Sequence, residues 1–214
     1  MAEDRLKAWE TLFKRALALI DSVARSGTSF EPWTFGGGTV LMRRHRHRFS
    51  KDIDIFVPDP QYLGHISPRM NDLAESMTAD YVEEGSSLKL LFPEGEIDFI
   101  ASAPLTDRPY VVERLFGRDV KVETSTEIIA KKLWHRGRHF TARDMFDLAL
   151  VAEREPEALH DIRPVLQDRK EIVLARIAEA DKQLQGDFAE LEVLDYRPTY
   201  DQCVGTVKRA FGSR

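Results

Sequence analysis

The chain has 214 residues, of which 43% are hydrophobic and 31% charged, with a formal net charge of −5. That is enough for a substantial core in one large or two small domains, and no apolar run approaches the ~20 residues a membrane-spanning helix requires. The acidic balance excludes a generally polyanion-binding surface, and the lone Cys203 rules out an internal disulfide and fits a reducing cytoplasm.

The first residues, MAEDRLKAWE, are charged and amphipathic, unlike a signal peptide. Leu6, Trp9, Leu12, Phe13, Ala16, Leu17, Ile20 and Val23 recur at three- and four-residue steps and predict an amphipathic helix over 4–25, ended by Gly27. Trp33–Phe35 reads as a short strand entering a glycine turn, after which come a short helix, a basic loop with a serine, and a strand DIDIFV. Alternate strand residues share a face, so Asp52 and Asp54 point one way and Ile53, Ile55 and Val57 the other. Pro58-Asp59-Pro60 breaks the pattern, and Ser67-Pro68 opens a helix with Met70, Leu73 and Met77 on its apolar side. Three β-like segments follow at 80–84, 87–92 and 96–101. In the last, Ile97 and Phe99 lie on one face and Glu96 and Asp98 on the other, which makes Asp98 the natural third carboxylate.

Residues 110–123 hold further β-like segments, VVERLF and RDVKVE. The chain then turns helical. Thr124 with Glu127 and Thr141 with Asp144 have capping-box spacing for helices 125–136 and 142–154. Pro156 starts another helix, and 168–186 and 199–211 read as two more. The expected fold is therefore α+β: a mixed sheet with flanking helices over residues 1–123, followed by a helical half over 124–214.

Two carboxylates side by side on one strand repel each other unless a cation sits between them, and oxygen-ligated Mg²⁺ with its accompanying phosphates suits that role. Gly37 and Gly38 allow close backbone approach to a phosphate at a helix N-terminus. The ordered series Gly37-Gly38-Thr39, Arg48-Phe49-Ser50 and Asp52-Ile53-Asp54 resembles the signature of nucleotidyltransferases of the DNA polymerase β superfamily. Within it the chain is most similar to the AbiEii/AbiGii toxins of bacterial toxin–antitoxin and phage-defence systems. The likeness continues through Glu127–Leu133 and Ala142–Leu148, spanning most of 33–150, while the tail beyond about 155 matches no motif.

The resemblance implies Mg²⁺-dependent transfer of a nucleoside monophosphate from an NTP, with Asp52, Asp54 and Asp98 around the metal. Gly37, Gly38, Thr39 and Ser50 would bind nucleotide, with Lys132 meeting phosphate and Asp144 pairing with a basic or acceptor group. Asp147 lies on the same helical face as Asp144 and could share its role, and the alignment leaves Lys131 and Lys132 as alternatives. Residues 43–51 and 131–143 each carry five Lys or Arg and two His with no acid. Read as a cleft facing a polyanion, they favour an RNA acceptor, a tRNA 3′ end, over a small molecule or protein. A catalytically silent binding module is the third reading, and the intact carboxylate set argues against it. His45/His47 and His135/His139 also suggest zinc, against which Gly137 should break the second pair's helix. A cognate antitoxin and a cytoplasmic location complete the expectation.

Overall fold

The structure, a computed structural model, describes residues 5–212. It divides into two compact units. The first comprises Met1–Val40, Ser50–Pro104 and Tyr110–Val122, and the second Leu41–Phe49, Leu105–Pro109 and Glu123–Arg214.

Among the described residues the strands are β1 (Thr34–Gly36), β2 (Ile53–Val57), β3 (Tyr81–Glu84), β4 (Ser87–Phe92), β5 (Gly95–Ala101), β6 (Tyr110–Leu115) and β7 (Arg118–Glu123). They form one mixed sheet in the order β3-β4-β5-β2-β1-β7-β6. β2 runs antiparallel to β1 and parallel to β5, in a register that sets Ile53 beside Ile97, Asp54 beside Asp98 and Ile55 beside Phe99. The alternating pattern is thereby satisfied: Ile53, Ile55, Val57, Ile97 and Phe99 are buried, while the carboxylates lie on the opposite face.

Helix α1 (Ala8–Arg25) buries Trp9, Leu12, Phe13, Ala16, Leu17, Leu19, Ile20 and Val23. Phe13 and Phe35 of β1 pack with ring centroids 4.5 Å apart, and Trp9 stacks on Phe35 at 5.9 Å. Helix α2 (Gly37–His45) follows the glycine turn. The helix expected to open at Ser67-Pro68 begins only at Asp72, as α4 (Asp72–Met77), and a short helix that was not expected, α3 (Gln61–Ile66), precedes it. Ser67 is extended, and Asn71 caps α4 by accepting from the Ala74 N–H, so Met70 falls in the intervening turn and is 77% exposed.

The second unit contains α5 (Ser125–Arg136), a 3₁₀ turn (Gly137–His139), α6 (Ala142–Arg154), α7 (Pro156–Asp161), α8 (Arg163–Glu179), α9 (Asp181–Ala189) and α10 (Tyr200–Ala210). Both expected caps form: Thr124 accepts from the Glu127 N–H, and Thr141 with Asp144 makes a full capping box. The helix expected over 168–186 is really two, because the backbone leaves the helical region at Ala180. Helix α6 is the unit's centre, with Met145, Phe146, Leu148, Ala149, Leu150 and Val151 all buried. Phe146 meets the rings of His47, Phe188 and Tyr196 at 5.9, 5.7 and 5.2 Å. The unmatched tail also has a structural task. Glu192, Leu194 and Asp195 pair through their backbones with Phe49, His47 and Arg46, pinning the basic loop in place.

Candidate active site

The expected site residues fall into two clusters, one in each unit. Asp52, Asp54, Asp98, Gly37, Gly38, Thr39 and Ser50 belong to the first unit, and Lys132 and Asp144 to the second.

In the first cluster the chain leaves β1 through Gly37, whose φ of +76° disfavours any side chain. A Cβ there would stand 1.8 Å from Asp54 Oδ2, so the glycine is required by the carboxylate as well as by the turn. Thr39, fully buried, donates through Oγ1 to the Asp52 carbonyl at 2.6 Å and lies 3.1 Å from Ser50 Oγ. It clasps the helix to the loop that delivers the aspartates. Asp52 itself precedes β2, and its Oδ1 accepts from the Glu96 N–H at 3.1 Å, which ties it to the start of β5. Asp54 and Asp98 are register partners on parallel strands. Burial and then the Asp54 charge push the Asp98 carboxyl up to about 6, against the opposing pull of Lys89. Lys89 of β4 is the cross-strand partner of Asp98, with Nζ 3.4 Å from Asp98 Oδ2 and 2.5 Å from Glu96 Oε2. Sequence reasoning passed over Lys89 and, though it set Glu96 on the face of Asp98, gave it no role. The available signal was a single charged residue in an otherwise apolar strand, SLKLLF.

Among the described residues no three His, Cys, Asp or Glu side chains form a metal-holding cluster. Helix α5 ends at Arg136 and Gly137 begins the 3₁₀ turn that holds His139, the break expected between His135 and His139. The carboxylate donors nevertheless fit a hard divalent cation. Mg²⁺ is commonly held by one or two carboxylates with water and substrate phosphate completing its shell, and the mutual repulsion of Asp54 and Asp98 is what such a cation relieves.

The second cluster is built on α5 and α6. Lys132 Nζ lies 2.6 Å from Asp144 Oδ1 and 3.1 Å from Asp147 Oδ2, with its side chain 12% exposed. Asp144 performs two tasks with separate oxygens: Oδ1 meets Lys132, while Oδ2 accepts from the Thr141 backbone and hydroxyl. Asp147 is fully buried and receives Arg48 through two parallel bonds, Nε to Oδ1 at 2.7 Å and Nη2 to Oδ2 at 2.8 Å. His47 Nε2 donates to the same Oδ1 at 2.8 Å. Burial opposes ionisation of Asp147, but the charges of Arg48 and Lys132 and the His47 bond hold its pKa well below the usual range. His47 is lowered, because burial outweighs the pull of Asp147.

The two adjacent lysines have different partners. Lys131 is buried against Glu123 at 2.5 Å and Glu127 at 3.5 Å, so it is a core ion pair, and Lys132 belongs to the aspartate cluster. The basic loop differs from its expected reading as a polyanion-facing strip. Arg48 is buried on Asp147, Arg46 pairs with Asp195 at 2.9 Å, and His45 meets Glu155 at 2.6 Å, because the helical unit supplies carboxylates that the sequence places far away. Segment 131–143 keeps exposed cations, Arg136, Arg138 and Arg143, although Arg136 also lies 3.6 Å from Asp144 Oδ1.

A family profile described as nucleotidyl transferase AbiEii toxin, type IV toxin–antitoxin system, matches residues 21–207. The chain belongs to this family. As an AbiEii-family nucleotidyltransferase it has the fold of others of that activity. MenT4, a nucleotidyltransferase toxin from Mycobacterium tuberculosis, superposes with a TM-score of 0.53 at 18% identity, over 97% of this chain and 82% of that one. JHP933 from Helicobacter pylori does so with a TM-score of 0.51 at 16% identity, over 95% and 90%. At such identities the likeness is one of fold. No curated protein sequence matches the chain. Among the described residues no helix is long and apolar enough to cross a membrane.

Proposed function

We propose that this AbiEii-family enzyme transfers a nucleoside monophosphate from an Mg²⁺-bound NTP to the 3′ hydroxyl of an RNA, with tRNA the acceptor class. It would act in the cytoplasm as a toxin of a phage-defence system, restrained by a cognate antitoxin. The observation that carries the reading is the in-register pair Asp54 and Asp98, with the Asp54 carboxylate set against the Gly37 turn. Exposed Arg136, Arg138 and Arg143, in a segment without acids, support a polyanionic acceptor.

Asp52, Asp54 and Asp98 would hold Mg²⁺, which when bound supplies charge neutralisation at the triphosphate and activates the attacking hydroxyl. The N–H groups of Gly37 and Gly38 and the Ser50 hydroxyl orient the β- and γ-phosphates, and Thr39 keeps that turn locked to the Asp52 backbone. Asp98, in register with Asp54, would complete the metal site that activates the attacking hydroxyl and would accept its proton. The acceptor oxygen bonds to the α-phosphorus as the bond to pyrophosphate breaks. From the second unit, which takes in Leu41–Phe49 and Leu105–Pro109 as well as the expected helical half, the resemblance would add Lys132 and Asp144. An ammonium has three donors, and the two aspartates engage two of them, leaving one for a phosphate oxygen.

The test is incubation of purified protein with Mg²⁺, each α-labelled NTP and total tRNA, alongside sequencing of cellular RNA 3′ ends after induced expression. Label is expected at RNA 3′ termini, and Asp54→Asn should abolish it without unfolding the protein. Extension that survives Asp54→Asn, or label that enters only a small molecule or protein, would refute the proposal.

A further inference from the structure

The carboxylate face of the sheet already contains a cation, Lys89. It stands on β4 opposite Asp98 of β5, and Glu96 lies two residues before Asp98 on the same face. The ammonium is 2.5 Å from Glu96 Oε2 and 3.4 Å from Asp98 Oδ2. An ordinary cross-strand pair on a solvated sheet face has little consequence for stability or function. Here the surroundings differ. Lys89 and Glu96 side chains are 37% and 39% exposed, but the Asp98 side chain is 15% exposed and sits beside Asp54 on the adjoining strand, about 4.8 Å away in the sheet.

Three carboxylates against one ammonium leave these four side chains with two net negative charges, the charge that a divalent cation neutralises. Lys89 and such a cation have like charge and the same target, Asp98, so they compete. The ammonium reaches Asp98 only at the long end of ion-pair distance, whereas Mg²⁺ bonds carboxylate oxygen at about 2.1 Å. The closer contact to Glu96 gives Lys89 somewhere to remain once Asp98 is taken.

We propose that Lys89 is the resident counter-cation of Asp98, a positioning residue that a divalent metal must displace onto Glu96, so that it sets the metal concentration at which the site fills. This rests on the carboxylates being the metal site, as proposed above. In the metal-free protein Lys89 keeps the Asp54–Asp98 pair from splaying apart. In the metal-bound protein it becomes a partner of Glu96 alone.

The experiment is thermal unfolding of the full, nucleotide-free chain across an MgCl₂ titration, reading the half-saturating concentration. Lys89→Met should lower that concentration at least about fivefold, because a like charge within a few ångströms of the cation is removed. Lys89→Gln, which keeps a polar side chain on the strand, should behave alike, and Lys89→Arg should stay near wild type. Arg114→Gln serves as the control, since it changes net charge equally at an exposed pair with Asp119 on β6 and β7. A shift in Lys89→Met no larger than in Arg114→Gln would overturn the role of Lys89. An Mg²⁺ response that Asp54→Asn leaves intact would overturn the carboxylate site, and this proposal with it.

Discussion

Asp98 offers the sharpest separation of stability from activity. Its carboxyl is raised from 3.8 to about 6 by burial and by the neighbouring Asp54 charge. A carboxyl whose folded pKa lies above its unfolded value binds its proton more tightly when folded. Wild-type stability therefore gains below the unfolded pKa and is lost as pH rises through about 6. A shift of about two units corresponds to about 2–3 kcal/mol, and little solvent screening applies at a side chain 15% exposed. Asp98→Asn removes that charge. In metal-free protein at pH 8 it should raise Tm by roughly 4–12 °C, given about 2–4 °C per kcal/mol for a chain of this size. The gain should shrink as pH falls from 6 towards 4, where the wild-type carboxyl becomes protonated. Calorimetry of EDTA-treated protein over pH 4–8 measures this, and a parallel assay should show transfer abolished. Equal melting temperatures at pH 8, or a gain independent of pH, would refute the reasoning.

Other expectations follow from the same geometry. Gly37→Ala places a methyl on the Asp54 carboxylate and a side chain at positive φ, so it should lose transfer and about 1–2 kcal/mol of stability in denaturant unfolding. Asp147→Ala leaves Arg48 and His47 buried without their carboxylate and should cost about 3–5 kcal/mol, whereas Asp147→Asn should cost less; equal melts for both would sink the ion-pair account. Lys132→Ala should raise KM for the NTP or lower kcat in steady-state assays, and it should also lower Tm, because it removes the ammonium shared by two fully buried aspartates. Charge reversal at Arg138 and Arg143 should weaken tRNA binding at saturating Mg·NTP and flatten its dependence on salt, leaving pyrophosphate exchange nearly intact; a salt response unchanged from wild type would argue for a small acceptor.

Much of this architecture could be read from local pattern. Alternation in residues 53–57 and 96–101, the three- and four-residue steps of α1, and the Thr124 and Thr141 caps all depend on neighbours within a few residues, so the sequence carries them directly. The motif order also placed Asp54 on a strand after a glycine turn and short helix, with Asp52 immediately before that strand rather than in it. Packing alone decided the rest. Whether Lys131 or Lys132 faces the aspartates depends on Glu123 occupying the core beneath one of them. Arg48 and His47 meet a carboxylate about a hundred residues away, which buries two residues of a loop whose sequence reads as facing a polyanion. Met70 lies exposed because the helix starts after it, capped by Asn71 rather than Ser67. Lys89 becomes a neighbour of Asp98 only through β4–β5 register, a choice made by burying Leu88 and Leu90 on the other face. Pairings across the sheet and within the helical unit are set by which apolar faces must be covered, and local spacing does not encode that.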